Sequence, residues 1–209
     1  MKRFLDYLTD SSARWLVASN AATLILALLL RWDLMYLLVV YWCQSVIIGY
    51  YNWRRMRALK SFSTAGFTSN GRAVPENEKG KLETARFFAI HYGFFHFVYA
   101  AFLLKMSKAF GPEDWAGLAV AVLAFQRNHG YSFQYHVVQD LKRRMNIGSL
   151  LFFPYLRVLP MHVMILAGAV LGGTSVKAML MFAALKTGSD LLMHAIEHHW
   201  DGEALGEDS

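Results

Sequence analysis

Two apolar runs, WLVASNAATLILALLL at residues 15–30 and LMYLLVVYWCQSVIIGYY at residues 34–51, are separated only by Arg31-Trp32-Asp33. A helix needs about 20 largely apolar residues, rising about 1.5 Å each, to cross a hydrocarbon core roughly 30 Å thick. Both runs approach that length, and the short turn between them forces an antiparallel hairpin. Working outward, further apolar segments run over about 86–104, 115–138, 151–171 and 176–199. Gly111-Pro112-Glu113-Asp114 supplies a turn, a proline suited to a first helical turn and early acidic residues, so a helix is expected to start there. Gly172-Gly173-Thr174-Ser175 makes the next break, and Pro154 and Pro160 are expected to interrupt the fifth segment.

The 209 residues are 56% hydrophobic and 15% aromatic, which fits the membrane class. The expectation is therefore an all-α integral membrane bundle of about six transmembrane helices in a single domain, 1–209. It carries a loop over 54–84 and an acidic tail over 200–209. The start Lys2-Arg3 and the run from Trp15 lack a small-residue cleavage site, so no secretory signal is expected. Cys43 is the sole cysteine. That excludes a disulfide framework or a cysteine zinc site within one chain.

The net charge of +6 would suit a nucleic-acid partner, but the bases fall in alternate loops and read as sidedness instead. One side holds Lys2, Arg3, Arg14, Arg54, Arg55, Arg57, Lys60, Arg72, Lys79, Lys81, Arg86 and Lys142 to Arg144; the other holds Arg31, Lys105, Lys108 and Lys177. The positive-inside tendency puts both termini in the cytoplasm of a bacterial inner membrane. The stretch from Arg54 to Thr84 reads as that orientation signal followed by a loose linker, with anionic lipid headgroups or a cover over a site as alternatives.

Counted inward from the cytoplasmic ends, the histidines fall in one layer. His91 and His96 lie in the third segment, His129 and His136 in the fourth, His162 in the fifth, and His194, His198 and His199 in the sixth. Asp190, His194 and His198 share about an 80° arc of one helix face, and Lys186 can pair with Asp190 four residues on. His91 and His96 diverge by roughly 140°. Ionisable groups at depth cost about 2.5 to 3.5 kcal/mol each and face partners. A metal would supply a shared partner, with His91, His96, His129, His162, Asp190, His194 and His198 as ligands and Glu197 or His198 moving protons. Nitrogen and oxygen donors favour zinc or iron.

His91-Tyr-Gly-Phe-Phe-His96 and His194-Ala-Ile-Glu-His198-His199 resemble the histidine boxes of membrane di-iron desaturases and hydroxylases. The last-helix pattern with its preceding acid is also similar to zinc-dependent transmembrane amidases of the ceramidase and adiponectin-receptor superfamily. Over its whole length the chain resembles uncharacterised bacterial multi-spanning membrane proteins, a likeness that implies topology and no activity. The function expected is a metal-dependent enzyme acting on a lipidic or amphipathic substrate at the cytoplasmic leaflet. Three alternatives stay open: haem binding with axial His96 and His162, a proton or metal transporter using Lys186 and Asp190, and a non-catalytic structural protein.

Overall fold

The computed structural model describes residues 11–29, 32, 34–106, 110–140, 144–171 and 176–204. Six helices lie among them: α1 Ser11–Leu29, α2 Leu34–Ala58, α3 Glu78–Met106, α4 Pro112–Asp140, α5 Ile147–Leu171 and α6 Val176–Ala204. Three of these, α2, α3 and α5, are long and apolar enough to cross a membrane by length and composition. The six expected spans are thus not met among the described residues. α4 carries Gln126-Arg127 and α6 carries Lys186 and Asp190 within their apolar runs.

The helix starts follow local chemistry. Asn77 caps α3, its Oδ1 accepting from the Gly80 N–H at 3.0 Å. Pro112 opens α4, and Asp114 reaches back to accept from the Gly111 N–H at 2.9 Å, half of a capping box. Asn146 caps α5, accepting from Gly148 at 2.9 Å and Ser149 at 3.4 Å.

α5 runs unbroken through Pro154 and Pro160, which corrects the expected interruption. Each proline deprives the carbonyl four residues earlier of its helical donor. Both freed acceptors are taken by side chains of neighbouring helices: Asn52 Nδ2 donates to Leu150 O and Ser189 Oγ to Leu156 O, each at 2.7 Å. Such replacement is what lets proline persist in a helix without water to solvate the gap.

The chain divides into two compact units, Val39–Tyr155 and the described parts of Met1–Leu38 with Leu156–Ser209. In the first, the segment expected to be a loose linker is folded. Thr68–Ser69 (β2) and Arg72–Ala73 (β3) form a hairpin across Asn70-Gly71, both at positive φ, 51° and 72°. That is the backbone a two-residue Asn-Gly turn adopts. Phe62–Ser63 (β1) pairs in parallel with Met145–Asn146 (β4). Glu76 accepts from the Thr64 N–H at 2.8 Å and pairs with Arg144, whose Nε also donates to Phe62 O at 3.2 Å. Below this cap Arg55 grips Asp140 through the Nε–Nη2 edge of its guanidinium, Nη2 to Oδ1 at 2.7 Å. Asp140 is only 5% exposed, so this pair ties α2 to α4 out of water.

α3 sorts its residues into two stripes. Phe88, Tyr92, His96, Tyr99 and Leu103 are buried, whereas Phe87, Ile90, Phe94, Phe97 and Leu104 are exposed by 53 to 78%. A run of bare aromatic and aliphatic side chains at helical spacing is costly in water and ordinary against lipid tails.

In the second unit α1 packs on α6 around three polar side chains. Lys186 Nζ meets Asp190 Oδ2 at 2.7 Å and Asn20 Oδ1 at 2.9 Å, and Asn20 Nδ2 closes the ring on Asp190 Oδ2 at 3.0 Å.

Candidate functional site

α2 and α3 run antiparallel, and small residues lie on their facing surfaces. Along α2, Val46, Gly49, Tyr50 and Trp53 recur at three- and four-residue spacing; along α3, Phe88, Ala89, Tyr92, Gly93 and His96 do the same. Between them lies an open groove of about 310 Å³, at the small end of the range for ligand pockets. At Gly49 a Cβ would sit 2.3 Å from Tyr92 Cε1, so glycine is what lets the tyrosine ring lie against α2. At Gly93 a Cβ would meet nothing within 4 Å, because that side of α3 opens into the groove.

His96 lines the inner end. Its ring stacks on Tyr92 with centroids 4.2 Å apart, and its Nδ1 bonds the Tyr92 carbonyl at 2.9 Å. A carbonyl only accepts, so Nδ1 carries the hydrogen, which in the neutral ring leaves a lone pair at Nε2. That Nε2 is buried and has no hydrogen-bond partner among the described residues, in a residue only 4% exposed. Trp42 Nε1 fixes the backbone beneath, donating to His96 O at 2.9 Å, and Tyr92 OH donates to Ser45 O at 3.0 Å. An unbonded buried acceptor costs about 1 to 3 kcal/mol, and in a side chain that lines an apolar groove it is where a ligand's donor would be worth most.

The other histidines behave differently. His91 is exposed, stacked on Phe87 at 5.2 Å and bonded through Nδ1 to the Tyr155 hydroxyl at 2.8 Å. His91 and His96 therefore leave α3 on different faces, as their spacing implies, and do not share a ligand. His129 packs between Phe125, parallel at 5.5 Å, and Tyr51 at 5.4 Å. His162 and Asp190 belong to the second unit, where Asp190 is held by Lys186 and Asn20. The side chains of His136, His194, Glu197, His198 and His199 lie outside the described residues. Among the described residues no three His, Cys, Asp or Glu side chains gather as a metal would need. The expected ligand set includes His194 and His198, whose side chains are not among those described.

Sequence reasoning singled out His96 but missed its surroundings. Gly49 and Gly93 were the available signal: two glycines inside apolar helices, each costing about 1 kcal/mol against alanine unless close packing or an open wall requires them.

These features define a helical protein with membrane-length apolar helices and a small apolar groove that ends on one buried imidazole. The chain belongs to a family of unknown function, DUF6498, whose family model matches residues 4–207. Nothing among curated proteins or solved structures matches it.

Proposed function

We propose that this is an integral membrane protein that takes a lipid-like or amphipathic small molecule into the α2–α3 groove, with His96 as its polar contact. All six helices are membrane-embedded in this reading, and both termini and the 59–77 cap face the cytoplasm. Support for the setting comes from the bare apolar stripe of α3 and from the bias of Arg and Lys toward the loops on one side. The observation that carries the function is the unpartnered Nε2 of His96 at the end of an apolar groove. The occupant it calls for is mostly hydrocarbon, with one hydroxyl or N–H that donates to an imidazole.

Gly93→Leu tests this directly, since it projects into the groove from a position where an added Cβ meets nothing within 4 Å. Native mass spectrometry of protein purified in mild detergent is expected to find a bound amphiphile in the wild type and none in Gly93→Leu, with unfolding temperatures alike. Equal recovery of amphiphile from both proteins would overturn the assignment.

The same imidazole supports a second reading, haem ligation, because a ring whose Nδ1–H is held by a carbonyl presents Nε2 as an axial ligand does. A Soret band in protein expressed with adequate haem, lost in His96→Phe, is its signature. Metal-dependent chemistry is a separate proposal resting on His194 and His198; stoichiometric zinc or iron lost in His194→Ala is the outcome that supports it.

A further inference from the structure

Resting on the groove reading, we infer that the occupant is a single-chain anionic lipid bearing a mid-chain hydroxyl, of the long-chain hydroxy acid kind. The groove has two chemically distinct ends. The antiparallel register opposes Trp42 to His96 and Ser45 to Tyr92, which carries Trp53 to the level of Thr84 and Ala85, so the end away from His96 is flanked by Arg57 on α2 and Arg86 on α3. Both arginines are exposed. Arg57 lies over the ring of Trp53, 4.7 Å from its centroid, which holds one guanidinium at the end of the groove's own wall. Arg86 stands one turn before Ala89 and two before Gly93 on the stripe that lines the other wall. A cation from each wall at one end selects an anion, and arginine's planar fork suits a carboxylate.

The distance between the ends sets the length of the molecule. Arg86 and His96 are ten residues apart on one helix, about 15 Å at 1.5 Å per residue. An anion at the arginines and a hydrogen-bond donor at Nε2 are therefore joined by roughly that span of apolar chain. The volume of about 310 Å³ accommodates one such chain rather than two. A hydroxyl partway along a fatty chain meets every requirement: it donates to the lone pair at His96, its hydrocarbon fills a wall built from Val46, Gly49, Tyr50 and Gly93, and its carboxylate stays at the headgroup level.

Three probes separate these parts: a long-chain fatty acid with a mid-chain hydroxyl, the parent acid without the hydroxyl, and the methyl ester of the hydroxy acid. Each is titrated into wild-type protein in nanodiscs of zwitterionic lipid. The hydroxy acid is expected to bind about 5-fold more tightly than the parent acid, the ratio one hydrogen bond gives, and the ester more weakly than the acid. His96→Phe should erase the preference for the hydroxyl and keep that for the acid. Arg57→Gln with Arg86→Gln should do the reverse. Acid and ester binding alike, or hydroxyl preference surviving in His96→Phe, would overturn the inference. Probes that bind without discrimination and are lost in Gly93→Leu would leave the groove function standing and sink this assignment; no binding by any probe would sink both.

Discussion

Asn52 donates from its side-chain amide to the carbonyl of Leu150 at 2.7 Å, the one acceptor that Pro154 leaves without a helical donor. Removing that amide strands a carbonyl where solvent cannot reach it, and Asn52→Leu is expected to cost about 1 to 3 kcal/mol in unfolding experiments. In a Pro154→Ala background the helix supplies its own N–H, so the same substitution should cost clearly less. Equal costs in the two backgrounds would show that Asn52 acts by some route other than the proline. Ser189 and Pro160 make a parallel pair through Leu156 O, and Ser189→Ala should respond to Pro160→Ala in the same way.

The two groove glycines should respond in opposite directions to the same added methyl. At Gly49 it would collide with the Tyr92 ring, whose hydroxyl is pinned to Ser45 O, and overpacking of this kind costs about 1 to 3 kcal/mol. At Gly93 it meets open space, and replacing a helical glycine gains up to about 1 kcal/mol. Thermal unfolding of Gly49→Ala and Gly93→Ala in one detergent gives the comparison, and a loss of stability in Gly93→Ala would argue against an open wall there.

Much of α2 and α3 was legible because an apolar run long enough to span a membrane is a local property, readable from 34–51 and 86–104 alone. The cap was not, since its key pairing joins Phe62 to Met145 across more than a third of the chain; only the Asn70-Gly71 hairpin announced itself locally. The histidine boxes drew attention to His91 and His96 equally. One ring ended on an exposed face and the other in the core, a difference set by about 140° of helix rotation rather than by residue type. The groove itself escaped notice because glycines form it by what they lack. Asn20 closing the Lys186–Asp190 pair was equally hidden, since 170 residues separate it from Asp190.

The cap should loosen in acid. The Glu76 carboxyl is held below its ordinary value of 4.5 first by the Thr64 N–H and then, against some desolvation, by the Arg144 guanidinium beside it. A carboxyl lowered by folding contributes stability that is fully present above 4.5 and disappears as pH falls through the lowered value. Hydrogen exchange at the Thr64 amide should therefore be slow at neutral pH and accelerate, relative to its intrinsic rate, only below about pH 4.5. Glu76→Gln keeps an acceptor for Thr64 without a titrating charge, so its protection should lose that pH dependence. An unchanged profile in Glu76→Gln would assign the acid response to another group.

Lys186 and Asp190 should prove worth little as a pair and a great deal singly. Both are largely withdrawn from solvent, 22% and 14% exposed, and each compensates the other's charge with Asn20 between them. Lys186→Met leaves the carboxylate with only a neutral amide donor. Asp190→Leu leaves the ammonium with only the Asn20 carbonyl among the contacts of this triad. Stranding one partner of a buried pair typically costs about 3 to 5 kcal/mol, whereas replacing both with apolar groups of similar size is often neutral. The Lys186→Met/Asp190→Leu double variant should thus be more stable than either single one, and a cycle of unfolding free energies measures the coupling. If the single costs simply add in the double variant, the triad is not a charge-compensated unit. If they cancel as expected, the pair acts chiefly to specify how α1 seats on α6, because only one register brings Asn20 level with both charges.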